Sequence, residues 1–147
     1  MKISKLFKPL AFVLAGFLFA GCATTSPVDS QARKLCVQTF GTDAYLRVLW
    51  LPTSYVDQFF TKVLADNSTP GEIAYSMTSG RDKRVDFVVW TEPHSFATSS
   101  FDSAFRFIPE SEQLTNLNVL YVGDAQDGDY LRPEIEAKGA KFYFHQR

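Results

Sequence analysis

Two cysteines and two histidines in 147 residues leave little from which to build a metal or redox centre. His94 and His145 stand far apart in the chain. Neither has the close Cys, His or carboxylate neighbours that a zinc site requires, so no metal and no cofactor is expected. The G-x-S-x-G, H-E-x-x-H and phosphate-loop patterns are all missing. Cys36 lies in an apolar run without the glycine-rich or helix N-terminal setting that lowers a thiol pKa, and it reads as buried and inert. No catalytic residue is assigned, and an enzyme is the least favoured class. Fifteen basic against sixteen acidic side chains give no excess of positive charge, which argues against a nucleic acid partner. Internal repeats and low-complexity tracts are lacking as well.

What is present begins at the N-terminus. Lys2, Lys5 and Lys8 precede a continuous apolar run over residues 10–20, with no acidic residue before Asp29. Small residues, Ala20 and Gly21, close that run. This is the order of a secretory signal peptide, and the run is too short for a comfortable membrane span of about twenty residues. Phe19-Ala20-Gly21-Cys22 resembles the lipobox of bacterial lipoproteins, with Phe19 standing where leucine is usual. The resemblance implies cleavage before Cys22 and acylation of Cys22. With Ala23 rather than aspartate next, it also implies outer-membrane delivery, the domain facing the periplasm. On this reading residues 1–21 are the signal peptide, 22–33 the lipidated N-terminus and a flexible tether, and 34–147 a single domain. Loss of three lysines leaves twelve basic against sixteen acidic side chains, a net charge of −4.

Hydrophobic periodicity within 34–147 predicts strands at 34–40, 44–51, 72–78, 83–91, 117–122 and 141–145, with 101–108 ambiguous but tilted toward strand. Residues 53–66 carry the clearest helical stripe, through Val56, Phe59, Phe60, Val63 and Leu64, and Pro70-Gly71 is expected to stop it. A short helix is expected over 133–138, with Pro133 in the first turn, and residues 124–129 read as an acidic turn. Short turns at 41–43 and 79–82 suggest two hairpins. The predicted fold is α+β: a mostly antiparallel sheet of five or six strands, one main amphipathic helix on one face and a short C-terminal helix. A parallel crossover at the last strand–helix–strand is the alternative topology.

The exposed feature of most interest is the charged tip of the second hairpin, where Arg81, Lys83 and Arg84 form a possible partner-binding finger. Edge protection by charge is the plainer reading of the same residues. Together the anchor, the tether and the missing catalytic set lead to an expected envelope lipoprotein. It would be held to the membrane by its lipid, and its non-enzymatic domain would bind another envelope protein as an assembly accessory. The alternative is an inhibitor or immunity protein that meets a basic cell-wall hydrolase through its acidic charge.

Overall fold

The structure is a computed structural model that describes residues 26–53 and 68–147. The expected signal peptide, Cys22 and the helix expected over 53–66 therefore lie outside the described residues, apart from Thr53. Among the described residues the order is α1 (Pro27–Phe40), β1 (Leu46–Leu51), α2 (Ser68–Thr78), β2 (Val85–Thr91), α3 (Ala97–Phe105), β3 (Leu117–Gly123), α4 (Ala125–Ala137) and β4 (Lys141–Gln146). The four strands form one sheet in the order β1-β2-β3-β4, and every pairing is parallel. This is an α/β fold. It overturns the antiparallel α+β expectation and generalises the crossover foreseen only for the last two strands.

Parallel neighbours cannot be joined by a tight turn, so each connection must cross over a face of the sheet. Crossovers of one hand along an unreversed strand order place their helices on the same side. Accordingly α2, α3 and α4 share a core with the odd-numbered residues of β1, β2 and β3 and the even-numbered ones of β4: Ile73, Met77, Phe101, Ala104, Leu131 and Ile135 pack with Phe87, Val89, Val119, Tyr121 and Phe142. The opposite face is covered by α1. Val28, Ala32, Leu35, Cys36 and Phe40 pack there on Val48, Val88, Trp90, Leu120 and Val122.

Four stretches differ from the sequence reading, each for a local reason. Residues 34–40, read as a first strand, are the second half of α1, and most of the supposed tether is its first half. The apolar stripe that faces the sheet starts at Val28, so a reading begun at Lys34 sees only its end. Ser26 caps the helix, its Oγ accepting from the Asp29 amide at 3.1 Å, and Pro27 takes the first position. Gly41 ends it in the left-handed conformation at φ 79°, donating to Val37 at 2.9 Å. There is no first hairpin.

Residues 72–78 alternate in sequence but are helical. Ile73, Ala74 and Met77 are buried, whereas Tyr75, which strand alternation puts on the same face, is 65% exposed. Pro70-Gly71 sits in the first turn of α2, where proline is tolerated, and does not act as a stop. The second hairpin disappears with that strand.

Residues 101–108 begin within α3, whose buried positions Ala97, Phe101 and Ala104, followed by Ile108, keep helical spacing. The acidic stretch 124–129 opens α4, with Asp124 as its cap accepting from the Gln126 amide at 2.9 Å. Gly128 marks close packing here rather than a turn, because a Cβ on it would lie 2.8 Å from the Phe144 ring. Pro133 falls inside this longer helix and not at the start of a short one.

The N-cap gives a direct check on α1. Ser26→Ala should lower the unfolding free energy by about 1 kcal/mol in urea titration. An unchanged midpoint would mean that residues 27–40 are not a folded helix capped by Ser26.

Candidate functional site

β2 is buried along its whole length, yet its second residue is an aspartate. The Asp86 carboxylate has no exposure at all and lies on the α1 face. Register sets Leu46, Asp86, Asn118 and Lys141 side by side across the four strands. A buried carboxylate persists only with charged and hydrogen-bonding partners. Here Arg84 Nε donates to both oxygens at 3.2 Å, Arg84 Nη2 stands 3.0 Å from Oδ2, and Asn118 Nδ2 donates to Oδ1 at 2.7 Å.

Arg84 is held from three directions. Besides Asp86, its Nη2 donates to the Phe40 carbonyl at the end of α1 at 3.4 Å, and its guanidinium lies 5.1 Å from the centre of the Tyr45 ring. The hydrogen bonds to Asp86 hold the guanidinium more firmly protonated than usual. Its Nη1 is left without a partner among the described residues. Beneath the same helix end, Cys36 is fully buried and its thiol donates to the Thr42 carbonyl at 3.3 Å. Burial, followed by the charges of Asp86 and Asp43, pushes that thiol from 9.0 up to about 11. The burial expected for Cys36 is found, on a helix instead of a strand.

These groups border an open hollow of about 390 Å³ at the N-terminal end of the strands. Arg84 and Lys141 contribute cations to it, Asn116 and Asn118 amides, Thr39 and Thr115 hydroxyls. Phe40 and Tyr143 complete its wall, in edge-to-face contact at 5.1 Å. Lys141 has no acidic partner among the described residues.

The three sequence-predicted partner residues lie on the turn before β2 and do not form a finger. Arg81 is committed to Asp82 at 3.0 Å and to Glu112 at 2.9 Å. Arg84 turns inward onto Asp86, and Lys83 stays exposed. Sequence reading missed Asp86, Asn118, Lys141 and Tyr143. The available signal was the polar second residue in each of two otherwise apolar strands, VDFVVWT and LNVLYVG.

The other end of the sheet holds a smaller cavity of about 150 Å³, between Thr91, Gly123, Asp124 and Arg147. Open α/β sheets take ligands at this end where the strand order reverses, and the order 1-2-3-4 has no reversal to open a crevice. Two of its polar side chains are already engaged: Arg147 Nη1 bonds Glu92 at 2.7 Å and the Thr91 carbonyl at 2.9 Å, and the Thr91 hydroxyl donates to the Val122 carbonyl at 3.1 Å. Outside the lining, Tyr121 donates to Asp127 at 3.1 Å. Burial raises the pKa of both Tyr121 and Asp127. His94 and His145 are exposed, and no three metal-ligating side chains come together among the described residues.

No protein-family model, no curated protein and no solved structure matches the chain. The site must therefore be read from its own chemistry.

The thiol supplies a test of this packing. A pKa raised on folding opposes folding once the unfolded thiol ionises. Stability from this source is complete below about pH 9 and falls as pH rises toward about 11. Cys36→Ala should remove that fall, measured as urea midpoints from pH 8 to 11. At pH 8 Cys36 in the native protein should react with Ellman's reagent on the order of 100-fold more slowly than in urea. Equal rates would contradict the burial.

Proposed function

We propose that the chain is a lipid-anchored envelope module, held in the outer membrane by an acylated Cys22 and non-catalytic, which binds another envelope protein on its periplasmic side. The observation that carries this reading is the position of α1. The helix starts at Pro27, five residues beyond Cys22, and packs along the sheet. Five residues reach at most ~18 Å when extended, so the anchor and the first turn of α1 stay near each other.

The orientation of α1 adds direction. Its last turn meets Arg84 at the N-terminal end of the strands, and a short connection leads from there into β1. The helix thus runs back along the sheet, and its first turn lies toward the C-terminal end of the strands. An anchored protein would hold that end near the bilayer and turn the other end, with Lys83 and the hollow, toward the periplasm. Several acyl chains, each methylene contributing about 0.8 kcal/mol, make such attachment durable. In a mature chain of net charge −4, with Arg81 and Arg84 matched by carboxylates, the exposed Lys83 is the cation on this turn that suits an acidic partner surface.

Two experiments test the reading. Cys22→Ser should move the protein out of the outer-membrane fraction; retention there would overturn the anchor. Tagged full-length protein from detergent-solubilised envelope should capture a structural or assembly component. Lys83→Glu should weaken that capture several-fold while leaving the fold intact. Capture of a basic hydrolase, released by salt, would favour an inhibitor instead.

A further inference from the structure

The hollow at the N-terminal end of the strands has features that neither the anchor nor a protein partner explains. Its two cations are set differently. Arg84 is fixed by Asp86, the Phe40 carbonyl and the Tyr45 ring, which leaves Nη1 as a positioned donor edge. Lys141 faces the same space from the edge strand β4, and its charge is unmatched among the described residues. Asp86 cancels one of the two charges, so the hollow carries a net charge of about +1 and suits one anionic group. Two of the carbonyls at the end of α1 are already engaged, that of Val37 by Gly41 and that of Phe40 by Arg84.

The neutral groups narrow the ligand further. Asn118 and Asn116 each spend one amide N–H, on Asp86 and on the Arg81 carbonyl, so each retains a second N–H and a side-chain oxygen as an acceptor. Thr39, Thr115 and Tyr143 add hydroxyls that donate or accept. A ligand matched to this set carries one carboxylate and several O–H or N–H donors. Among the described residues the apolar wall of the hollow is limited to the rings of Phe40 and Tyr143, too little to enclose an apolar side chain of a peptide. A ring face against a sugar's C–H face fits that wall. The volume, about 390 Å³, lies in the range of small-molecule sites.

We propose that this hollow binds a carboxylate-bearing saccharide unit, an acidic sugar or amino sugar. The carboxylate sits between Arg84 Nη1 and Lys141, and the hydroxyl and amide donors meet Asn116, Asn118 and the threonines. This assignment stands on the hollow alone and does not need the protein-partner reading.

The test is calorimetric titration of the full chain in mild detergent with glucuronic acid, N-acetylmuramic acid, N-acetylglucosamine and the dipeptide Ala-Ala. At least one acidic sugar should bind about tenfold more tightly than neutral N-acetylglucosamine and than the dipeptide. Lys141→Ala should remove that advantage. Gln146→Ala, at the other end of the sheet, should leave it unchanged, and circular dichroism should show both variants folded. No binding by either acidic sugar, equal binding of acidic and neutral sugars, a dipeptide that binds as tightly, or an advantage that survives Lys141→Ala would each overturn the proposal. Failure here would leave capture of an envelope protein through Lys83 unaffected, so the two readings fail separately.

Discussion

A parallel sheet has two apolar faces, and both must be kept from water. Three of the helices come with the connectivity: strands that run the same way need crossovers, and α2, α3 and α4 are those crossovers. The connectivity does not demand α1. Among the described residues it is the one element that covers Val88, Trp90, Leu120 and Val122, the inner positions of the two central strands. Burial of each such side chain contributes roughly 1.5–3 kcal/mol, so the exposed alternative is costly for a domain of this size. The burial of Cys36, the seat of Arg84 against the last carbonyl of α1 and the wall of the hollow at Phe40 all follow from that helix lying where it does.

The same constraint explains how a carboxylate comes to sit inside the sheet. Asp86 lies at the row where α1 ends, so its cover changes there from apolar side chains to the Arg84 guanidinium and the Asn118 amide. A lone charge at this depth would be expensive, and a paired one is tolerable. Its partners are then fixed in place. A guanidinium with one edge engaged and the other open is a better-positioned donor than a mobile surface lysine, because less freedom is lost when a ligand arrives.

Legibility in the sequence varied by element type. The strands were readable: β1 and β2 fall within the expected runs around Val48 and Phe87, and β3 and β4 extend one residue past those around Leu120 and Phe142, where β-branched and aromatic residues cluster. The helices were mostly misread, and in one direction. Ile73, Tyr75 and Met77 alternate because Tyr75 reaches outward from a helix to stack under Arg47 at 4.9 Å. Phe101, Phe105 and Phe107 look like a strand because aromatic rings favour strands in general, but Phe107 lies beyond α3 and is 55% exposed. In α1 the polar residues Asp29, Ser30 and Gln31 hid a stripe carried by Val28, Ala32 and Cys36. Once three helices were taken for strands, parallel pairing could not be inferred, since hairpins became the shortest connections. The hollow was hidden for a different reason. Its groups come from α1, the turn before β2, β3 and β4, and only the parallel register brings them to one row.

The central claim is that residues 27–40 are a structural helix bound to the sheet rather than a loose tether. Native-state hydrogen exchange, followed residue by residue through 30–40, measures this most directly. If α1 covers the sheet, its amides should be protected to a degree approaching those of β2 and β3, and they should open together with Val88 and Leu120. Exchange through 30–40 at the rate of an unstructured chain, with β2 and β3 still protected, would contradict the account.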